Sequence, residues 1–220
     1  VNVGGDLSAT TDANNGTIAL GSLNVTGNVT VTTHGTGNVT LVNAQSLDFA
    51  SATVGGALNA TATTGDLEDS GALTVAGVSY LTTTASNGNI TLDVTTNSLV
   101  GNVTLTTNGS SGNVTLDNGT TTLDLAASTV GGDLSLTSGN LTGLTDSGTV
   151  TVGGDLSATT DANNGTIDLD GLNVTGTVTV ATHGTGNVTL VNAQSLDFAS
   201  ASVGGALNAT ATTGDLEDSG

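Results

Sequence analysis

The sequence predicts an all-β chain wound as a parallel β-helix, a β-solenoid, over its 220 residues. Three observations carry this. A long internal repeat runs through the chain, apolar residues alternate with threonine and asparagine, and the bulky residues that fill a globular core are almost missing. Aromatic side chains number three (Phe49, Tyr80, Phe198), while apolar residues as a whole make up 35 %. Apolar atoms must therefore be buried in a thin, regular structure rather than in a thick core.

The repeat comes first. Val3 to Gly71 recur as Val152 to Gly220 at a constant offset of 149, without insertion or deletion. Six positions differ: Ala19/Asp168, Gly21/Asp170, Ser22/Gly171, Asn28/Thr177, Thr32/Ala181 and Thr53/Ser202. The chain reads as a single continuous solenoid over 1–220, with one repeat over 3–151 and a partial second over 152–220. It is expected to be a window of a longer tandem array.

A shorter rhythm lies inside that unit. Gly-x-apolar-x-apolar segments begin at Gly16, Gly37, Gly56, Gly71, Gly88, Gly112, Gly132, Gly148 and Gly165, which is eight steps of about 18–19 residues. Periods of this size mark a solenoid whose coils cannot bury their apolar face alone. Roughly twelve coils at the ~4.8 Å strand spacing would make a rod of about 55–60 Å.

The local pattern is strand. In Asn28–Thr33 and Gly112–Leu116, Val and Leu alternate with Thr and Asn, the period of two that places one set inward. β-Branched threonine and valine suit a pleated surface, and Asn-Gly pairs at 15–16, 87–88, 108–109, 118–119 and 164–165 suit corners with positive φ. Ile18, Leu20, Val29, Val31 and Val54 are expected inward. The six differing residues then fall on outward or turn positions, Gly21 and Ser22 at a turn. Asn-Gly between alternating strands also signals hairpins, so tandem antiparallel sandwiches are the competing architecture. The Val-Gly-Gly-Asp/Ala-Leu motif at Val3, Val54, Val130, Val152 and Val203 favours stacked coils instead.

Charge excludes several functions. Nineteen acidic residues face no lysine or arginine, a formal charge of −19. Phosphates cannot be neutralised, which excludes nucleic-acid binding of the electrostatic kind and attraction to anionic membranes. Without cysteine there is no disulfide or thiolate site, and no apolar run approaches the roughly 20 residues of a membrane helix.

Candidate sites are few. His34 and His183, the only histidines, are one position in two copies, about eight coils apart, and read as exposed corner residues. Carboxylates gather at Asp66/Glu68/Asp69, at Asp215/Glu217/Asp218 and at Asp168/Asp170. No resident cofactor is expected, although oxygen-rich corners of this kind can bind Ca²⁺ weakly. The acids are read chiefly as charge that keeps a β rod from pairing side to side. No catalytic residue is expected, because a glycosidase needs two carboxyl groups in a shaped cleft and a lyase on acidic sugars a cation. Asn-x-Ser/Thr triplets recur, as at Asn24, Asn28, Asn38, Asn59, Asn89, Asn102, Asn113 and Asn187, and are acceptors only where the source glycosylates. Threonine runs raise ice binding as a minor alternative.

Gly-Asn-Val-Thr-Leu, Val-Gly-Gly-Asp-Leu-Ser-Ala-Thr and Ala-Leu-Thr-Val-Ala-Gly are similar in style to the shaft repeats of filamentous-haemagglutinin-like exoproteins, giant bacterial surface proteins secreted by the two-partner route. The resemblance covers the whole chain and implies a right-handed parallel β-helix, export, and a role in adhesion or cell–cell contact. The expected function is a structural shaft segment at the cell surface, with other cells, surface glycans or copies of itself as partners. The alternative is a self-assembling extracellular fibre or sheath subunit.

Overall fold

The computed structural model describes residues 1–220 and contains 26 strands and no helix. They form two 13-stranded sheets, and every pairing is parallel. Parallel neighbours cannot be joined by a tight hairpin, so the sandwich alternative falls and the chain is a β-solenoid. The Asn-Gly pairs turn the chain between the two sheets instead.

Each strand rests on the strand one coil below it. Along sheet 1 one ladder runs Leu47, Leu67, Ile90, Val114, Leu134, Leu156 and Val178. Along sheet 2 another runs Ile18, Val39, Leu58, Ser79 and Val103. Apart from Ser79, these inward residues belong to one continuous core of 45 buried apolar side chains. Period-two alternation is followed closely: residues 103–107 alternate buried and partly buried, and Leu134–Ser138 does the same.

The solenoid has about ten coils of roughly 21 residues, close to the expected twelve of 18–19. The difference has a simple cause. Of the glycine-led segments, those at Ile18, Val39 and Leu58 lie in sheet 2, whereas those at Leu73, Ile90, Val114 and Leu134 lie in sheet 1. A count that crosses from one sheet to the other shortens the apparent coil. From Leu7 the ladder reaches its equivalent Leu156 in seven coils, through Val29 and the bent strand Leu47–Val54. His34 and His183 are therefore seven coils apart rather than eight, about 34 Å at the strand spacing.

Of the expected inward residues, Ile18, Val29, Val31 and Val54 are buried, and Leu20 is half-buried because few coils lie beneath it, whereas its copy Leu169 is fully buried. None of the six differing positions is buried in either copy. Gly21 and Ser22 are not at a turn, however. They sit inside the strand Ile18–Val25, where the register slips between Leu20 and Leu23. A bulge absorbs them without breaking the strand.

Two glycines show how closely the coils approach. A Cβ on Gly55 would strike the carbonyl of Gly35 one coil below, and one on Gly56 the side-chain oxygen of Asn38. The Val-Gly-Gly motif thus serves close backbone stacking.

Ser79 is the one break in its ladder. It stands between Leu58 and Val103, fully buried, and its hydroxyl has no partner. A buried polar group without a hydrogen bond costs about 1–3 kcal/mol. In urea unfolding, Ser79→Ala is expected to raise the midpoint through a stabilisation of that order, whereas Leu105→Ala lowers it through a loss of about 2–5 kcal/mol in unfolding free energy.

Candidate functional site

Where the chain enters sheet 1, side-chain oxygens form a staircase along the rod. Ser46 Oγ accepts from the backbone N–H of Asp66 (3.1 Å), and Asp66 Oδ1 from Asn89 (2.7 Å). Asn89 then accepts from Asn113 (3.0 Å) and Asn113 from Asp133 (2.8 Å). Asp133 accepts from Asp155 (2.9 Å) and Asp155 from Thr177 (2.7 Å). Each step caps one backbone donor that no strand partner reaches. This explains the Gly-Asn/Asp-apolar signature: the glycine admits the neighbouring coil and the next residue caps the coil above.

Buried asparagines do the same at another corner. Asn118 Oδ1 accepts from Leu99 N–H (2.7 Å), while its amide donates to the carbonyls of Leu99 (3.0 Å) and Thr122 (2.9 Å). Asn43 treats Val25 in this way (2.8 and 3.0 Å), and Asn192 treats Val174 (2.8 and 3.0 Å). One side chain replaces a strand residue that the corner lacks. Sequence reasoning took Asn118 only as half of an Asn-Gly corner and missed Asn43 and Asn192, although the three are spaced 75 and 74 apart.

The acidic clusters separate into different tasks. Asp66 belongs to the staircase and Glu68 points outward, stacked on Asp48 of the coil below. Asp69 is half-buried beneath the next corner, accepting from Asp93 N–H (3.1 Å) and the Asn97 amide (2.6 Å). Of the copied cluster, Asp215 N–H donates to Ser195 Oγ of the coil below (3.1 Å), Asp218 Oδ1 accepts from Gly220 N–H (3.3 Å), and all three residues are exposed. Asp168 and Asp170 lie on the exposed rim of a bulge, where Asp146 below accepts from Asp170 N–H and Gly171 N–H (both 2.9 Å). No three His, Asp or Glu side chains gather as a metal-ligand group. His34 and His183 stand exposed at their corners, with Nδ1 2.7 and 2.8 Å from the carbonyls of Thr11 and Thr160. A carbonyl only accepts, so Nδ1 carries the hydrogen.

Four carboxyl groups are held above their ordinary pKa. Burial is the main cause for Asp69, Asp117 and Asp146, opposed by the hydrogen bonds they accept. For Glu68 burial comes first and repulsion from Asp66 and Asp48 adds to it.

On the outer face of sheet 1, Thr91, Thr115, Ser135, Ser157, Thr179 and Ser200 stack as an unbroken hydroxyl column over successive coils. A shallow groove follows its middle part, between that column and the staircase acids Asp133 and Asp155.

Stacked coils, capped corners and a polar exterior define the class as a tandem-repeat β-solenoid. Residues 36–106, 111–182 and 185–220 match a family described as repeats of unknown function (DUF5649), and the chain belongs to that family. No curated protein and no solved structure matches it. The three matches begin 75 and 74 residues apart, so the 149-residue unit is two family repeats.

The geometry adds a property of those repeats. Val39 lies in sheet 2, its counterpart Val114 in sheet 1, and the next counterpart Val188 in sheet 2 again. Leu58, Leu134 and Leu207 alternate likewise, as do Leu67, Leu144 and Leu216 with the sheets exchanged. Seven coils shared by two repeats give three and a half coils each. Consecutive repeats therefore present the same motif on opposite faces. The signal was in the sequence, since Gly37-Asn-Val-Thr-Leu41 returns as Gly112-Asn-Val-Thr-Leu116 at an offset of 75.

Two expectations follow. Asn118→Leu leaves the Leu99 donor and acceptor unpaired, and is expected to cost about 2–4 kcal/mol in denaturant unfolding. The raised carboxyl pKa values favour the protonated forms in the fold. Their stabilisation is complete below the ordinary values, 3.8 for Asp and 4.5 for Glu, and is lost as pH climbs through the raised ones. Melting temperature, followed by circular dichroism, is expected to rise as pH falls from neutrality towards 4.5.

Proposed function

We propose that the chain is a structural shaft segment of an extracellular β-solenoid surface protein, acting in adhesion or cell–cell contact. The observation that carries this is the stacking itself. One ladder of inward Leu, Ile and Val continues from coil to coil with nothing interrupting its axis. Such an array gains length by adding repeats, each contributing its interface with the next. The outward positions carry Thr, Ser, Asn and acids, and no constellation of side chains suited to catalysis converges on them. We take the role of this stacked, extendable array to be mechanical. The similarity in style to filamentous-haemagglutinin-like shafts supports export and a place at the cell surface.

The acidic exterior keeps neighbouring rods apart. Parallel coils laid side by side would present exposed sheet faces, and charge of one sign opposes their contact. No resident cation is required by this reading. A chelator is expected to leave the melting temperature unchanged; a fall of several degrees would reassign the acidic corners to calcium, with the unpartnered buried oxygens of Asp48, Asp124 and Asp197 as the first place to look.

The hydroxyl column of sheet 1 favours a second reading, an ice-binding solenoid that orders water on a regular threonine and serine lattice. Thermal hysteresis of the purified chain decides it: a clear depression of ice growth supports that reading, and none removes it.

The shaft reading is tested by deleting one 149-residue unit from the surface protein that carries it. Electron microscopy of the cell surface is expected to show projections shortened by about 34 Å, seven coils at the strand spacing, with weaker attachment to partner cells. Unchanged projection length together with unchanged attachment would overturn it.

A further inference from the structure

We propose that Asn108 is a site of spontaneous deamidation, which sets the middle family repeat apart from its neighbours. Asparagine followed by glycine is prone to this reaction because the glycine amide nitrogen, unhindered by a side chain, can reach the asparagine side-chain carbonyl carbon. The Gly109 nitrogen loses its proton and bonds to Cγ of Asn108. The Nδ2 group leaves with that proton as ammonia, and water opens the resulting cyclic imide to aspartate or isoaspartate. Water is the only co-reactant, and nothing is oxidised or reduced.

The chain has five Asn-Gly pairs, and four are guarded. At Asn15, Asn87 and Asn164 the attacking N–H is engaged: Gly16 donates to Ala13 O (3.0 Å), Gly88 to Ala85 O (3.1 Å) and Gly165 to Ala162 O (3.0 Å). The side chains of these asparagines are also held, each Oδ1 accepting from a backbone N–H one coil above at 2.7, 3.1 and 2.8 Å. At Asn118 the side chain is fully buried and bonded at both ends, and Gly119 N–H donates to Asp117 Oδ1 (2.8 Å). At Asn108–Gly109 the side chain is held only through its Nδ2, and the attacking N–H is not engaged. Both residues are exposed and Gly109 N–H has no partner.

The position has a defined task. Asn108 Nδ2 donates to Thr84 O of the coil below (2.9 Å). His34 and His183 occupy the equivalent place, 74 residues before and 75 after, and their Nδ1–H groups donate to Thr11 O and Thr160 O. Histidine performs the same bond and cannot cyclise. Conversion of Asn108 to aspartate removes the donor and sets a carboxylate against the Thr84 carbonyl, and isoaspartate also lengthens the backbone at the corner.

The test is incubation of the folded chain in mildly alkaline buffer, followed by mass spectrometry of its peptides, beside a urea-unfolded control in which all five pairs are free to react. In the folded protein, aspartate and isoaspartate are expected at 108 at least several-fold faster than at 15, 87, 118 or 164, and the control should react at all five. Asn108→His, with an unchanged circular dichroism spectrum, should abolish the main product. Equal rates at the five sites in the folded chain, or protection of 108 while the unfolded control reacts, would overturn the proposal.

Discussion

Every coil of this molecule exposes its backbone N–H and C=O groups along the rod axis, and only another coil can satisfy them. That constraint governs the rest. In a parallel ladder the donors and acceptors of one strand are met by the strand directly above and below, so the coil must return to the same place after each circuit. Where the returning chain is in register, strands pair. Where it bends, the ladder opens and some other group must fill the gap. Asn118 completes a missing rung with both ends of its amide, and the oxygens from Ser46 to Asp155 each cap the donor of the next coil. The glycines at the Val-Gly-Gly corners allow backbones to come close enough for this to work.

The family repeat ends at a half-integral number of coils. A repeat of three and a half coils places its second copy on the opposite face, so the corners, bulges and buried asparagines of one sheet reappear on the other. Related motifs thus occur on both faces, while the unbroken Thr/Ser column stays on sheet 1 and the matching outer positions of sheet 2 include Ala19, Asn59 and Tyr80. The small differences among copies follow this logic. Ala19 becomes Asp168, Thr32 becomes Ala181, and the inward neighbours Ile18, Val31 and their copies stay apolar. Change is accepted where a side chain faces water and refused where it meets the next coil.

Much of the fold was legible because a parallel ladder leaves a period-two imprint on each strand. The alternation in Gly112–Leu116 identified Val114 and Leu116 as inward, and both are buried. Coil length was less legible, since the glycine-led segment that marks a strand entry occurs at both sheets and carries no label for which one. Corners were the least legible. Asn43 and Asn118 look like exposed turn residues in sequence, yet both are fully buried, because an amide can imitate the backbone it replaces. The acidic stretch Asp66 to Asp69 looked like one cluster, and the alternation of the strand sends its members to a corner cap, an outward face and a half-buried clamp.

A chain with nineteen acids and no lysine or arginine carries its charge on a scaffold whose stability comes from the axis, not from ion pairs. The central claim is therefore geometric: strands lie across the rod and hydrogen bonds run along it. X-ray diffraction from aligned, concentrated protein tests this most directly. The structure predicts a reflection at about 4.8 Å along the long axis of the particles. The same reflection perpendicular to that axis, or its absence from well-aligned samples, would contradict the stacked-coil account.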